Sequence, residues 1–61
     1  MRRIIVSDGM HLEPDHPLDD GDFFVNVTDE EYAELEHLSK YVMRYLDRLI
    51  DLGRRAEREA N

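Results

Sequence analysis

Cysteine and tryptophan are absent from this chain, and only two prolines and three glycines punctuate its 61 residues. Without cysteine there is neither a disulfide framework nor a thiolate zinc site. A chain of this size buries only ~60% of the surface its unfolded state exposes, so a lone core is marginal. Self-association is the stabilising device that the composition leaves open. A catalytic pocket of typical volume, roughly 300 Å³ or more, is hard to enclose in so few residues. No apolar run approaches the roughly 18 residues of a membrane-spanning helix. Near the N-terminus the apolar stretch is only Ile4-Ile5-Val6, against the roughly 7–15 residues of a signal-peptide core, and a cytoplasmic location is expected.

Base is scarce as well. Eight Lys and Arg stand against 15 Asp and Glu, giving a net charge of −7 and a pI of about 4.7. Phosphate-rich partners are repelled by such a molecule, so direct nucleic-acid binding is not expected. With 41% hydrophobic and 38% charged residues, the chain falls on the polar side of globular proteins rather than among disordered ones.

What is present sorts into three pieces of one small domain. Residues 3–7 and 10–13 read as a β-hairpin: Ile4-Ile5-Val6 is β-branched, and Asp8-Gly9 is the pair that a type I′ turn favours. Residues 14–22 contain both prolines, Gly21 and four aspartates, an acidic loop with no regular element. Phe23-Phe24-Val25-Asn26-Val27 alternates as another strand. Thr28 with Glu31 three residues later spells a capping box, and Asp29, Glu30 and Glu31 complement the positive end of a helix dipole. From about 29 to 59 there is no proline and one glycine, which predicts a single helix of ~40 Å. The expected fold is α+β: a small N-terminal antiparallel sheet on one long C-terminal helix.

That helix is broadly apolar. Leu35, Leu38, Val42, Tyr45, Leu49, Leu52 and Ala56 alternate steps of three and four, the seam of a coiled-coil-like contact, and Tyr32, Tyr41, Met43, Leu46 and Ile50 widen it. One side can cover the strands, and the other asks for a second helix. A homodimer is therefore expected, with Leu35, Leu38, Val42, Tyr45, Leu46, Leu49 and Leu52 at its interface.

Chemistry-bearing motifs are sparse. His11, Glu13, Asp15 and His16 gather within six residues but lack a recognised ligand spacing, and Pro14 interrupts them. Gly21 set as the sixth position of a calcium loop leaves Val27 where glutamate is required. Glu34 and His37 have the Glu-x-x-His spacing of di-iron bundles without the further glutamates. Asn26-Val27-Thr28 spells a glycosylation site but reads better as a strand end and a cap. No nucleophile elbow or glycine-rich phosphate loop occurs, so neither enzymatic activity, a metal nor a cofactor is expected. Arg54, Arg55 and Arg58 form the one basic cluster, a weaker basis for a small DNA-binding regulator. A ribbon-helix-helix arrangement needs a turn between two helices, and residues 29–52 contain no turn residue.

The remaining feature is acidic. Asp15, Asp19, Asp20, Asp22, Asp29, Glu30, Glu31 and Glu34 fall within twenty residues with no base among them. Such a surface suits docking on a basic protein groove, including one that ordinarily holds nucleic acid, as small acidic inhibitors of phage type do. The leading expectation is thus a non-enzymatic interaction protein that inhibits or regulates a macromolecular partner. The alternative is an assembly subunit working through its apolar helix face.

Overall fold

A computed structural model describes residues 1–60 and contains β1 (Arg2–Ser7), β2 (Met10–Leu12), β3 (Phe23–Val27), α1 (Asp29–Leu38) and α2 (Val42–Ala60). The α+β architecture and the antiparallel sheet agree with the sequence reading; the single long helix does not. Among the described residues no helix is long and apolar enough to cross a membrane.

The strands lie in the order β2-β1-β3, with β1 antiparallel to both neighbours. Asp8 and Gly9 take φ of 48° and 74°, the left-handed pair required by a two-residue turn that matches strand twist. Gly9 also lies close to α2, since a Cβ built there would stand 3.2 Å from Leu46 Cδ2. Gly9→Ala should therefore lower the stability by ~1–2 kcal/mol through positive-φ strain and this contact. Urea unfolding followed by circular dichroism checks it, and an unchanged midpoint would contradict the turn geometry.

The alternation of each strand decides which side chains meet the helices. Ile4 and Val6 share a face with their partners Val25 and Phe23, and with Val27. Leu35 from α1 and Tyr45, Leu49 and Leu52 from α2 close over them to form the core. Ile5 points the opposite way, beside Leu12 and Phe24, and is fully buried all the same. Topology explains it. The segment joining β2 to β3 must pass from one sheet edge to the other across β1; helices occupy one face, so the acidic loop crosses the other, above Ile5.

The predicted helix breaks at Ser39–Tyr41, a correction to the reading of one rod over 29–59. The Ser39 hydroxyl donates to the Glu36 carbonyl (2.7 Å), the Tyr41 N–H donates to the Leu38 carbonyl (2.7 Å), and the Tyr41 carbonyl opens α2 by accepting from Tyr45 N–H (2.9 Å). The physical reason is size: a ~40 Å rod would overhang a body measuring 28 × 22 × 21 Å. Breaking it lets α1 and α2 both lay their apolar stripes on one sheet. The turn also removes the stated ground for setting aside a ribbon-helix-helix arrangement; what distinguishes this fold is that β3 already pairs with β1 of its own chain.

The break divides the expected dimer seam. Leu35, Tyr45, Leu49 and Leu52 are buried in the core of their own chain and Leu38 is half-buried against it, whereas Val42 and Leu46 remain exposed. The a/d spacing marked an intramolecular stripe that continues from one helix to the next, so these four buried residues are not free to meet a second chain.

Candidate functional site

Two surfaces remain outside the core, one acidic and one apolar. At the start of α1 the capping box forms as read: Thr28 Oγ1 accepts from the Glu31 N–H (3.0 Å), and Glu31 Oε1 accepts from the Thr28 N–H (2.9 Å). Glu31 has a further role. Arg55, reaching back from α2, donates Nη1 to its Oε1 (3.0 Å) and Nη2 to its Oε2 (2.6 Å), and also donates to the Asn26 carbonyl (3.2 Å) on the terminal strand β3. Arg48 adds Nε to Glu34 (2.8 Å) and a longer approach to Glu31 (3.8 Å). The bidentate Arg55 bond and the capping N–H hold the Glu31 carboxyl down to about 2, despite partial desolvation.

The acidic residues accordingly divide. Glu31 and Glu34 clamp α1 to α2, so the cluster is compensated in part, contrary to the sequence reading. Asp15, Asp19, Asp20, Asp22, Asp29 and Glu30 form no ion pair among the described residues, and all but the half-buried Asp22 are exposed. Neighbours in sequence are also separated in space. Asp22 precedes β3 and Asp29 follows it, so a strand of five residues, ~17 Å long, stands between these two, whereas Asp15 follows β2 at the end of the sheet where β3 gives way to α1. That exceeds the ~8 Å Debye length at physiological salt, so Asp22 and Asp29 present their charge separately.

His11 leaves the cluster in which the sequence placed it. It pairs with Val6 in register, so it faces the helices with its side chain 9% exposed. Its main-chain N–H donates to Tyr45 Oη (2.7 Å), its Nδ1 meets the same phenol, and Nε2 lies 2.8 Å from Glu36 Oε1. One proton arrangement satisfies every atom: Tyr45 donates to Nδ1, and Nε2–H donates to Glu36. Edge-on packing of His11 against both Tyr32 and Tyr45 completes a polar clamp between β2, α1 and α2. The bond from His11 lowers the Glu36 carboxyl below its ordinary value, and burial raises the Tyr45 phenol. Although carboxylate, imidazole and hydroxyl stand in line, the phenol oxygen already serves His11 twice. The missed signal was the alternation Met10-His11-Leu12, which turns only the middle residue inward.

The other candidates have local roles. His16 is exposed, Glu34 is held by Arg48, and the His37 ring lies 5.7 Å from that of Tyr41. In the basic cluster Arg55 belongs to the clamp, leaving Arg54 and Arg58 exposed. Among the described residues no group of three or more His, Cys, Asp or Glu is placed to hold a metal.

The apolar surface is the outer flank of α2. Val42, Met43 and Ile50 are 63%, 76% and 56% exposed, and Leu46 lies between them at 38%. Successive helical residues advance by about 100°, which sets Val42 and Leu46 beside the core stripe of Tyr45, Leu49 and Leu52, and Ile50 and Met43 toward the opposite side of α2. Next to it runs an open groove of about 410 Å³ floored by Phe23, Leu49 and Gly53 and walled by Leu46, Ile50 and the Asp8-Gly9 turn. A helix that is apolar over this wide an arc has a second face to cover, as the composition of residues 41–50 implied. No protein-family model matches the chain, and no curated protein or solved structure is significantly similar to it.

Proposed function

We propose that the chain is a non-enzymatic interaction protein: a homodimer, joined through the outer flank of α2, that binds and inhibits or regulates a macromolecular partner with a basic surface. The observation that carries the partner reading is the set of six carboxylates, Asp15, Asp19, Asp20, Asp22, Asp29 and Glu30, that have no base of their own among the described residues. Arg48 and Arg55 neutralise the next two acids, so the chain has the means to pair carboxylates and leaves these six open. Of the two groups, the loop carries four and is the larger source of attraction. Unpaired surface charge of one sign steers a partner of the other sign and discriminates against like-charged ones.

Immobilised chain is expected to capture its partner at low salt and release it at high salt. The variant D15N/D19N/D20N/D22N should bind that partner on the order of tenfold more weakly or worse, having lost four charges. Binding that survives both high salt and the four substitutions would move the reading to an assembly subunit working through α2, which the exposed Met43 and Ile50 favour.

A further inference from the structure

We propose that the outer edge of β3 takes up an extended peptide as an added strand of the sheet, one with apolar residues at its centre and lysine or arginine at both ends. This rests on the basic-partner reading above and supplies the form in which that partner is recognised.

The edge is open. β3 pairs with β1 on one side, and among the described residues no strand pairs with it on the other. Two bonds fix which main-chain groups point outward. The Asn26 carbonyl accepts from Arg55 and the Thr28 N–H donates to Glu31, so the even-numbered residues direct their backbone away from β1. Phe24 and Asn26 therefore offer N–H and C=O groups to an incoming strand, and the Asn26 carbonyl keeps a second lone pair beside the one Arg55 uses. The devices that usually guard an edge are missing, since β3 contains neither proline nor a charged residue.

Space lies beside these groups. α2 starts at β2, where Tyr45 meets His11, and reaches β3, where a Cβ at Gly53 would stand 3.6 Å from Phe23 Cζ. Two open pockets, of about 320 and 600 Å³, border Phe24, and Ala56 and Ala60 line both from the helix side. Four residues apart, these alanines share one face of α2, and their small side chains leave room for the apolar side chains of an added strand.

Charge then chooses between occupants. Asp22 stands immediately before the edge and Asp29 shortly after it, neither in an ion pair among the described residues. Glu57 and Glu59 line the pockets against the single base Arg3, whose guanidinium stacks on the Phe24 ring at 3.9 Å. A second copy joined edge to edge would set acid against acid at both ends, whether the strands ran parallel or antiparallel. An extended segment with cationic ends is attracted where a copy is repelled. The ends of β3, ~17 Å apart, ask for those cations about five residues apart.

The probe is a synthetic peptide with a valine-threonine-valine centre and two lysines at each end, followed by fluorescence anisotropy against the full chain at low salt. Seating the valines beside Ala56 and Ala60 puts the threonine opposite Phe24 or Asn26, in main-chain hydrogen bonds. N-methylation of the threonine amide should therefore weaken binding about tenfold or more, and N-methylation of either valine should change it less than about threefold. Saturating peptide should also slow hydrogen exchange at the Phe24 and Asn26 amides. Asn26→Pro, at an exposed position whose N–H lies outside the β1 ladder, should keep native circular dichroism and lose the peptide. Equal binding of all the peptides would show attraction by charge alone, overturning strand addition while leaving the basic partner in place. No binding by the chain in its native fold would overturn the edge site, and the four-aspartate variant would still decide the partner reading. Phe24 and Asn26 amides that are already slow without peptide, and slower at higher protein concentration, would put a second copy on the edge and overturn the proposal as well.

Discussion

Glu31→Ala should lower the stability of the chain by about 2–3 kcal/mol, a large share of the ~3–9 kcal/mol expected for a domain of this length. Three groups lose a partner at once: Arg55, whose fork is matched to both carboxylate oxygens, the Thr28 N–H of the capping box, and more distantly Arg48. The Arg55 side chain is only 30% exposed, so the stranded guanidinium recovers part of its hydration, not all. Glu31→Gln separates the contributions, because the amide oxygen still accepts from Thr28 while the charge disappears. Acid should act in the same direction. The Glu31 carboxyl titrates near 2 in the fold against 4.5 as its ordinary value, so its contribution is complete above about pH 5 and is lost as pH falls toward 2. The loss is on the order of 2 kcal/mol after allowance for solvent screening at this partly exposed site. Urea midpoints of wild type and Glu31→Ala should converge over that range; a constant gap down to pH 2 would show that the clamp is not ionic.

Leu35→Ala should cost about 3 kcal/mol, through lost burial and the cavity left behind. Leu35 is 1% exposed and packs where α1 meets both α2 and the sheet. The measurement also separates two roles that spacing alone confuses. As a core residue, Leu35 stabilises each chain, and the loss should be the same at all protein concentrations. A residue at an intermolecular seam would show a loss that grows as the protein is diluted. A Leu35→Ala variant with unchanged unfolding but weakened dimerisation would restore the seam to the interface.

The local parts of this fold were legible in the sequence because short-range chemistry decides them. Asp8-Gly9 makes its turn by its own φ preference, and Thr28 and Glu31 cap the helix within four residues of each other. The helix break escaped notice because Ser39-Lys40-Tyr41 holds neither glycine nor proline, and what turns the chain there is the limited area of the sheet. The acid pairing was invisible for a related reason: Arg55 lies 24 residues from Glu31, and only the reversal between α1 and α2 brings them together. The breadth of the apolar arc on α2 was readable, but its division into core stripe and outer flank was not, since that depends on which side rests on the sheet. For the loop carboxylates, composition announced the charge, and the length of β3 set Asp22 apart from the helix-start acids.

The path of the acidic loop across β1 determines how the molecule can be taken apart. Cut within residues 14–22, the chain yields two complementary fragments: a β-hairpin with one open edge, and a β-α-α unit whose strand fits that edge. Mixed in solution, such fragments have the means to re-form the native sheet. In the uncut protein the same segment is a natural hinge for exchange of halves, because the β-α-α unit of one copy fits the hairpin of another as well as it fits its own.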